Sequence, residues 1–172
     1  MPVSSRDRPR HGFTVVELLI VVVILGILVV IAVPQLKGSA EDARATSLHS
    51  NLAVLRKSVE YYKSQHNGRF PGYPPAGGAP TASEFVNQST LATSVDGATS
   101  MHATAEFNRG PYIKEMIPYN PINGLNTVLI VEDGVTFPPA NDATGWIFKP
   151  EVGKIRANSI GTAPSGTLYY DF

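Results

Sequence analysis

An apolar run near the start of the chain constrains its fold more than any other feature. Residues 13–33 read FTVVELLIVVVILGILVVIAV and are interrupted only by Thr14, Glu17 and Gly26. In a helix, at about 1.5 Å per residue, this run extends roughly 31 Å, close to the hydrocarbon thickness of a bilayer. A β-strand of that length would be exceptional, and lipid accepts only helices and closed barrels. The sequence therefore predicts a helix that is suited to a membrane.

The composition excludes several classes of function. The 14 basic residues are balanced by 14 acidic ones, so no basic surplus favours nucleic acid as a partner. The chain has no cysteine, which excludes disulfides, thiolate metal sites and a cysteine nucleophile. The sequence contains no hydrolase elbow, zinc-protease motif, phosphate-binding loop or dinucleotide fingerprint. We therefore expect a protein that is not an enzyme and that holds no organic cofactor.

Charged residues flank the apolar run unevenly. Three arginines and a single acid precede it, whereas the basic residues that follow are matched by acids. The preceding residues are Arg6, Asp7, Arg8 and Arg10, and the following ones are Lys37, Glu41, Asp42 and Arg44. The positive-inside rule then places the front end in the cytoplasm and residues 35–172 outside. A plain single-pass anchor is an alternative at this point, whereas a cleaved secretory signal would have a shorter run.

Neither a plain single-pass anchor nor a cleaved secretory signal requires an acidic residue in its apolar run, so Glu17 needs another explanation. A carboxylate within an apolar segment costs on the order of a few kcal/mol unless it is protonated, reaches the interface or meets a cation. Cleavage between Gly12 and Phe13 would create an α-amine at the same end of the helix. The amine of one subunit could then pair with Glu17 of the next. Protonation or snorkelling of Glu17, and Gly12 as a simple helix cap, are the alternatives.

These residues carry a family resemblance. The segment Gly12–Glu17 (GFTVVE), followed by Gly26 and Pro34, closely resembles the N-terminal motif of type IV prepilins, which type IV pilins and type II secretion pseudopilins share. The resemblance implies that a prepilin peptidase cleaves after Gly12 and N-methylates Phe13, and that Glu17 assists assembly of a helical filament. It implies as partners further copies of the chain, minor pilin-like subunits, an inner-membrane assembly platform and membrane lipid. The precursor would lie in the bacterial inner membrane with its head in the periplasm, and the mature form in a periplasmic or cell-surface filament.

Beyond the apolar run the helical pattern continues in a different form. Pro34 removes a helical hydrogen bond and Gly38 adds flexibility, which predicts a helix break or kink. Apolar residues then recur every three or four positions as far as His66, which predicts an amphipathic helix with His66 as a packing residue rather than a ligand. Asn67-Gly68 is a helix stop. The predicted organisation is a leader (1–12), a transmembrane or filament-core helix (13–34), an amphipathic helix (35–68) and a loop-rich head (69–172).

The head carries signals for one short helix and several strands. Thr81–Glu84 is a candidate capping box for a helix that runs to about Thr93. The predicted strands are two hairpins and a final strand: Thr127–Glu132 with Val135–Phe137, Trp146–Lys149 with Lys154–Asn158, and Thr167–Phe172. Three or four antiparallel strands packed on a long helix make an α+β, pilin-like roll.

A second resemblance lies within the head. The Gly110–Pro118 loop and the Gly145–Asn158 hairpin are similar to those of the major pseudopilins of type II secretion, which favours a pseudopilin. A surface type IV pilin for adhesion, motility or DNA uptake is an alternative, and a monomeric single-pass binding module is another. Related pseudopilins hold a calcium ion between loop oxygens, so Asp133 and Asp142, with Glu151 nearby, are calcium candidates; no other metal is expected.

Overall fold

The helix that starts the fold, α1, is continuous and long. The computed structural model describes the backbone of residues 13–172 and, outside residues 31–37, their side chains. The predicted leader, including Gly12, lies outside the described residues. Helix α1 is Val15–Gln65 and is assigned without interruption across Pro34 and Gly38. The predicted break does not interrupt the helix, and a local loosening at these two residues stays a prediction.

Helix α1 ends where the sequence predicts. Asn67 and Gly68 take left-handed backbone conformations, with φ of 53° and 80°. The Gly68 N–H donates to the Lys63 carbonyl at 3.1 Å. Such a bond caps the last turn of a helix, and glycine is the residue that adopts the required φ most readily.

The chain divides into two compact units. The first ends at Ala40, and the second is Glu41–Phe172. Among residues 13–30 the large apolar side chains are exposed, with exposed fractions from 46% at Val21 to 81% at Val15. An α-helix that is apolar all round is normally buried among other helices or in lipid. Within the part of the chain that the structure describes, no helix satisfies both the length and the hydropathy of a membrane span.

The second unit buries one stripe of α1. Leu48, Leu52, Leu55 and Val59 are at most 1% exposed, and their spacing of four, three and four residues is that of one helix face. They belong to a single core together with four large side chains from the rest of the unit: Phe85, Trp146, Phe148 and Ile155. Full burial of such a side chain stabilises the fold by about 1.5–3 kcal/mol. The predicted amphipathic face is confirmed.

Helix α2 is Ala82–Thr90, and the Thr81 half of its predicted capping box is confirmed; the Thr81 N–H donates to the Gly72 carbonyl instead of to Glu84. The Thr81 hydroxyl accepts a hydrogen bond from the Glu84 N–H at 3.2 Å. The helix ends earlier than the predicted Thr93 because the chain then forms strand β1, Ala92–Thr93, which pairs antiparallel with β2, Thr99–Ser100. This two-stranded sheet was not predicted from the sequence.

The main sheet has three strands in the order β3-β4-β5: Val128–Ile130, Trp146–Lys149 and Lys154–Ala157. Strands β4 and β5 form the predicted antiparallel hairpin. Strand β3, however, runs parallel to β4, so the prediction of a wholly antiparallel sheet is wrong. The predicted strand Val135–Phe137 is absent because the chain turns at Gly134 and then crosses over to β4; Pro138 and Pro139 in this crossover lack the N–H that a ladder needs.

The last predicted strand, Thr167–Phe172, is also wrong. Leu168 makes an isolated bridge to Thr162, and Tyr169–Asp171 form a 3-10 helix. Tyr169 is buried, and its ring centroid lies 5.9 Å from that of Phe172. Two rings three residues apart meet on one side of a 3-10 turn, whereas a strand would place them on opposite faces. The fold class remains the predicted α+β, with a long helix packed on small antiparallel and mixed sheets.

Candidate functional site

The start of α1 brings together the residues that the sequence selected for assembly. Thr14 immediately precedes the helix, and Glu17 lies in its first turn. The Glu17 N–H donates to Thr14 Oγ1 at 3.2 Å, and the Thr14 N–H donates to Glu17 Oε2 at 3.5 Å. This reciprocal pair is a capping box, in which two backbone donors at the helix start find side-chain acceptors. The sequence carries its signal, Thr-x-x-Glu, but the interpretation of Glu17 as a charge awaiting a cation overlooked it.

The capping box determines what the Glu17 carboxylate can still bind. Its position in the first turn is favourable because the helix dipole is positive there. Among the ion pairs of residues 13–172, outside the undescribed side chains, none involves Glu17. A carboxylate has acceptor capacity for about four hydrogen bonds, so a cation can still join this one. Phe13, the predicted new N-terminus, is 75% exposed beside it.

His66 is a packing residue, as predicted. It is 1% exposed, and its ring stacks on the ring of Tyr62 with centroids 3.7 Å apart. Nδ1 lies 2.8 Å from the Tyr62 carbonyl oxygen, and Nε2 lies 3.0 Å from Thr93 Oγ1. Because a carbonyl oxygen only accepts, Nδ1 carries the proton and Nε2 accepts from the threonine hydroxyl. Burial lowers the pKa of His66, and both ring nitrogens are occupied by protein partners.

The calcium candidates hold separate internal hydrogen bonds. Asp133 Oδ1 accepts from the Tyr73 hydroxyl at 2.7 Å, and Asp142 Oδ1 accepts from the Ile160 N–H at 3.1 Å. Calcium needs six to eight oxygen ligands around one point. Within the described residues, no three histidine or acidic side chains lie close enough to share a metal ion. Asp133 and Asp142 thus bond to different parts of the head, and calcium binding stays a prediction.

The two head segments that carry the second resemblance contact each other in the core. Trp146, which is fully buried, donates from Nε1 to the Pro118 carbonyl at 2.9 Å. A Cβ at Gly145 would overlap the backbone carbonyl of Leu125. Glycine is therefore required where the connection before β3 passes close to the start of β4.

Asparagines hold the crossover that leads into this hairpin. Asn158 is fully buried, and its Nδ2 donates to Asn141 Oδ1 and Thr144 Oγ1, both at 2.8 Å. The Asn141 N–H donates to Asn158 Oδ1, also at 2.8 Å. Asn123 Nδ2 donates to the Thr144 and Asn158 carbonyls at 2.9 and 3.0 Å. Neutral amides thus fasten this part of the loop.

Comparison with known proteins agrees with both resemblances. Residues 7–33 match the family model of the prokaryotic N-terminal methylation motif. The type II secretion system core protein G of Aeromonas hydrophila is 30% identical over 116 residues, which cover 67% of this chain and 70% of that protein. The chain belongs to the core protein G family. The Escherichia coli K12 member is 30% identical over 117 residues, or 68% of this chain and 69% of its own length.

Other members of the core protein G family match over a shorter part. The protein from Dickeya chrysanthemi is 37% identical over 65 residues, which cover 38% of this chain and 42% of its own. No solved structure matches the chain. The predicted resemblance to the type II secretion pseudopilins is confirmed.

Proposed function

We propose that this chain is a structural subunit of the type II secretion pseudopilus, made as a precursor, cleaved between Gly12 and Phe13 and polymerised through α1. Membership of the core protein G family and the methylation motif support the subunit role. The observation that carries the assembly mechanism is the capping box of Thr14 and Glu17 at the start of a helix whose apolar side chains are exposed.

Before assembly the precursor is anchored in the inner membrane by residues 13–33. Support for this anchor comes from the length of the apolar run in a helix and from the excess of arginine before it. Lipid covers the exposed apolar side chains, and the capping box satisfies the first backbone donors where no water is available. The head then lies in the periplasm.

Cleavage changes the charge at this end of the helix. It releases an α-ammonium on Phe13, and N-methylation keeps the positive charge. When two subunits are offset along their axes, this ammonium reaches Glu17 of the neighbouring copy. In an apolar surrounding, two paired charges are far more favourable than two separate ones. The pair therefore selects one axial offset between subunits, while the apolar side chains supply most of the binding energy.

The remaining partners follow from this role. Prepilin peptidase processes the precursor, an inner-membrane platform adds subunits, and minor pilin-like subunits join the filament. The growing filament pushes secreted proteins towards an outer-membrane pore. No enzymatic activity of the chain is needed for any of these steps.

The cleavage is tested by N-terminal sequencing and intact mass of the chain from cells with and without prepilin peptidase. We expect the mature protein to begin at Phe13 and to carry one methyl group only where the peptidase is present. A chain that begins at Met1 in cells that contain the peptidase would contradict the filament proposal and favour a monomeric membrane-anchored binding module.

The pairing role is tested with Glu17→Gln, for which Glu41→Gln is the matched control because Glu41 is an exposed acid on the same helix. We expect Glu17→Gln to be processed normally and to form few or no filaments by electron microscopy, whereas Glu41→Gln assembles like the unaltered chain. Normal filaments from Glu17→Gln would exclude the charge pair.

A further inference from the structure

Lys149, the last residue of β4, places its ammonium group between two oxygen acceptors from other parts of the head. Its side chain is only 15% exposed. Nζ lies 2.9 Å from Glu151 Oε2 and donates to the Val135 carbonyl at 2.8 Å. Both contacts are charge-assisted, and such contacts are stronger than hydrogen bonds between neutral groups.

The partners of Lys149 join two separate parts of the chain. Glu151 lies in the turn between β4 and β5, and its Oε2 also accepts from the Gly134 N–H at 3.1 Å. Gly134 and Val135 belong to the crossover between β3 and β4. The ammonium and the carboxylate thus bind adjacent backbone groups of the crossover, one at a carbonyl and the other at an N–H.

Neighbouring bonds hold the same stretch of the crossover from two other directions. The Val131 N–H donates to the Phe148 carbonyl at 2.8 Å, just after β3 ends. Asp133 accepts from Tyr73, which lies in the loop before α2. Because Val131 and Asp133 are already fixed, the contacts of Lys149 with Val135 and of Glu151 with Gly134 close the turn that follows them.

The oxygen pair around Lys149 is of the kind that binds calcium, namely a carboxylate and a backbone carbonyl. An ammonium group satisfies them with three donors and needs no further ligands. We propose that the Lys149 ammonium is a built-in cation that fastens the crossover to the β4–β5 turn, and that the fold of residues 41–172 therefore does not depend on a divalent metal ion. This proposal is independent of cleavage and of filament formation.

The unaltered full-length chain in detergent micelles gives the first test. Trp146 is the single tryptophan and is fully buried, so its fluorescence reports unfolding of the head. We expect the same melting temperature in excess CaCl2 and in EDTA, within about 1 °C, because an ion that bound only the folded state would raise it. A melting temperature several degrees higher in calcium would overturn the proposal.

Variants provide the second test. Lys149→Met keeps the aliphatic length and removes the charge, and Lys154→Met is its matched control. Lys154 is the register partner of Lys149 on β5 and is exposed. We expect Lys149→Met to lower the melting temperature by about 3–6 °C in both calcium and EDTA, and Lys154→Met to leave it unchanged. Equal melting temperatures for the two variants would exclude a fastening role for Lys149. If Lys149→Met does not fold, the comparison of calcium with EDTA in the unaltered chain still decides whether the fold depends on a metal ion.

Discussion

Residues 13–30 and residues 41–172 differ in how far their apolar side chains are exposed to solvent. In the first region the apolar side chains are exposed, whereas in the second Leu48, Leu52 and Leu55 are fully buried against the sheet and α2. The second region has a core of its own, whereas in the proposed function lipid or other copies of the chain cover the first. Under that proposal, one helix combines an assembly segment with a segment that the head stabilises.

The largest expected effect comes from removing a core side chain of the second region. Leu52→Ala should lower the free energy of unfolding of the head by about 2–5 kcal/mol, because it leaves a cavity between α1 and the sheet. The melting temperature, measured by Trp146 fluorescence in detergent, should fall by about 10 °C or more.

The matched control is Val22→Ala in the first region, where Val22 is 66% exposed. We expect it to leave the melting temperature of the head unchanged, since no core contact is lost. If both variants lowered it equally, the two regions would not be energetically separate, and the contrast drawn above would be wrong.

Local patterns in the sequence were enough to predict much of the second region. The amphipathic stripe, the Thr81 cap and the β4–β5 hairpin all depend on residues close in sequence, and all are present in the structure. The capping box of Thr14 and Glu17 was equally local, but the apolar surroundings of Glu17 drew attention to its charge alone.

The errors concern pairings between distant residues. Strand β3 pairs with β4 across a crossover that contains neither helix nor strand, and no periodicity within β3 indicates a parallel partner. The donor and acceptor groups that fix the crossover, such as Asn141 and Asn158, are ordinary loop residues by composition. Nor could the sequence reveal that Asp133 and Asp142 bond to different parts of the head.

A smaller effect is expected from the polar part of the head. Asn158→Ala should lower the free energy of unfolding by about 1–3 kcal/mol, because the buried Asn158 side chain is lost and the Asn141 N–H loses its acceptor. Asn108→Ala is the control, since Asn108 is exposed and its side chain bonds only to the neighbouring Arg109. Urea unfolding followed by Trp146 fluorescence measures both. Equal stabilities would mean that apolar burial alone holds the second region together.

The smallest expected effect is on the pH dependence of the head. Burial lowers the pKa of His66 below its ordinary value of 6.5, and Arg109 and Arg69 act in the same direction against its hydrogen bonds to backbone groups. Between the lowered pKa and 6.5 the unfolded chain binds more protons than the folded one. The contribution of neutral, buried His66 to the free energy of unfolding is therefore fully present above about pH 6.5. It is lost as the pH falls from there through the lowered pKa.

The measurement is the melting temperature of the head between pH 7.5 and 5, compared with His66→Gln and with His102→Gln, which alters an exposed histidine. We expect the unaltered chain and His102→Gln to lose stability in parallel on acidification, and His66→Gln to show a shallower loss from a lower starting value. A protonated His66 could no longer accept from Thr93, so acid should loosen the junction between the end of α1 and β1. If the melting temperature changed with pH by the same slope in all three proteins, His66 would not couple this junction to pH. The buried apolar stripe of α1 would then be what joins the helix to the head there.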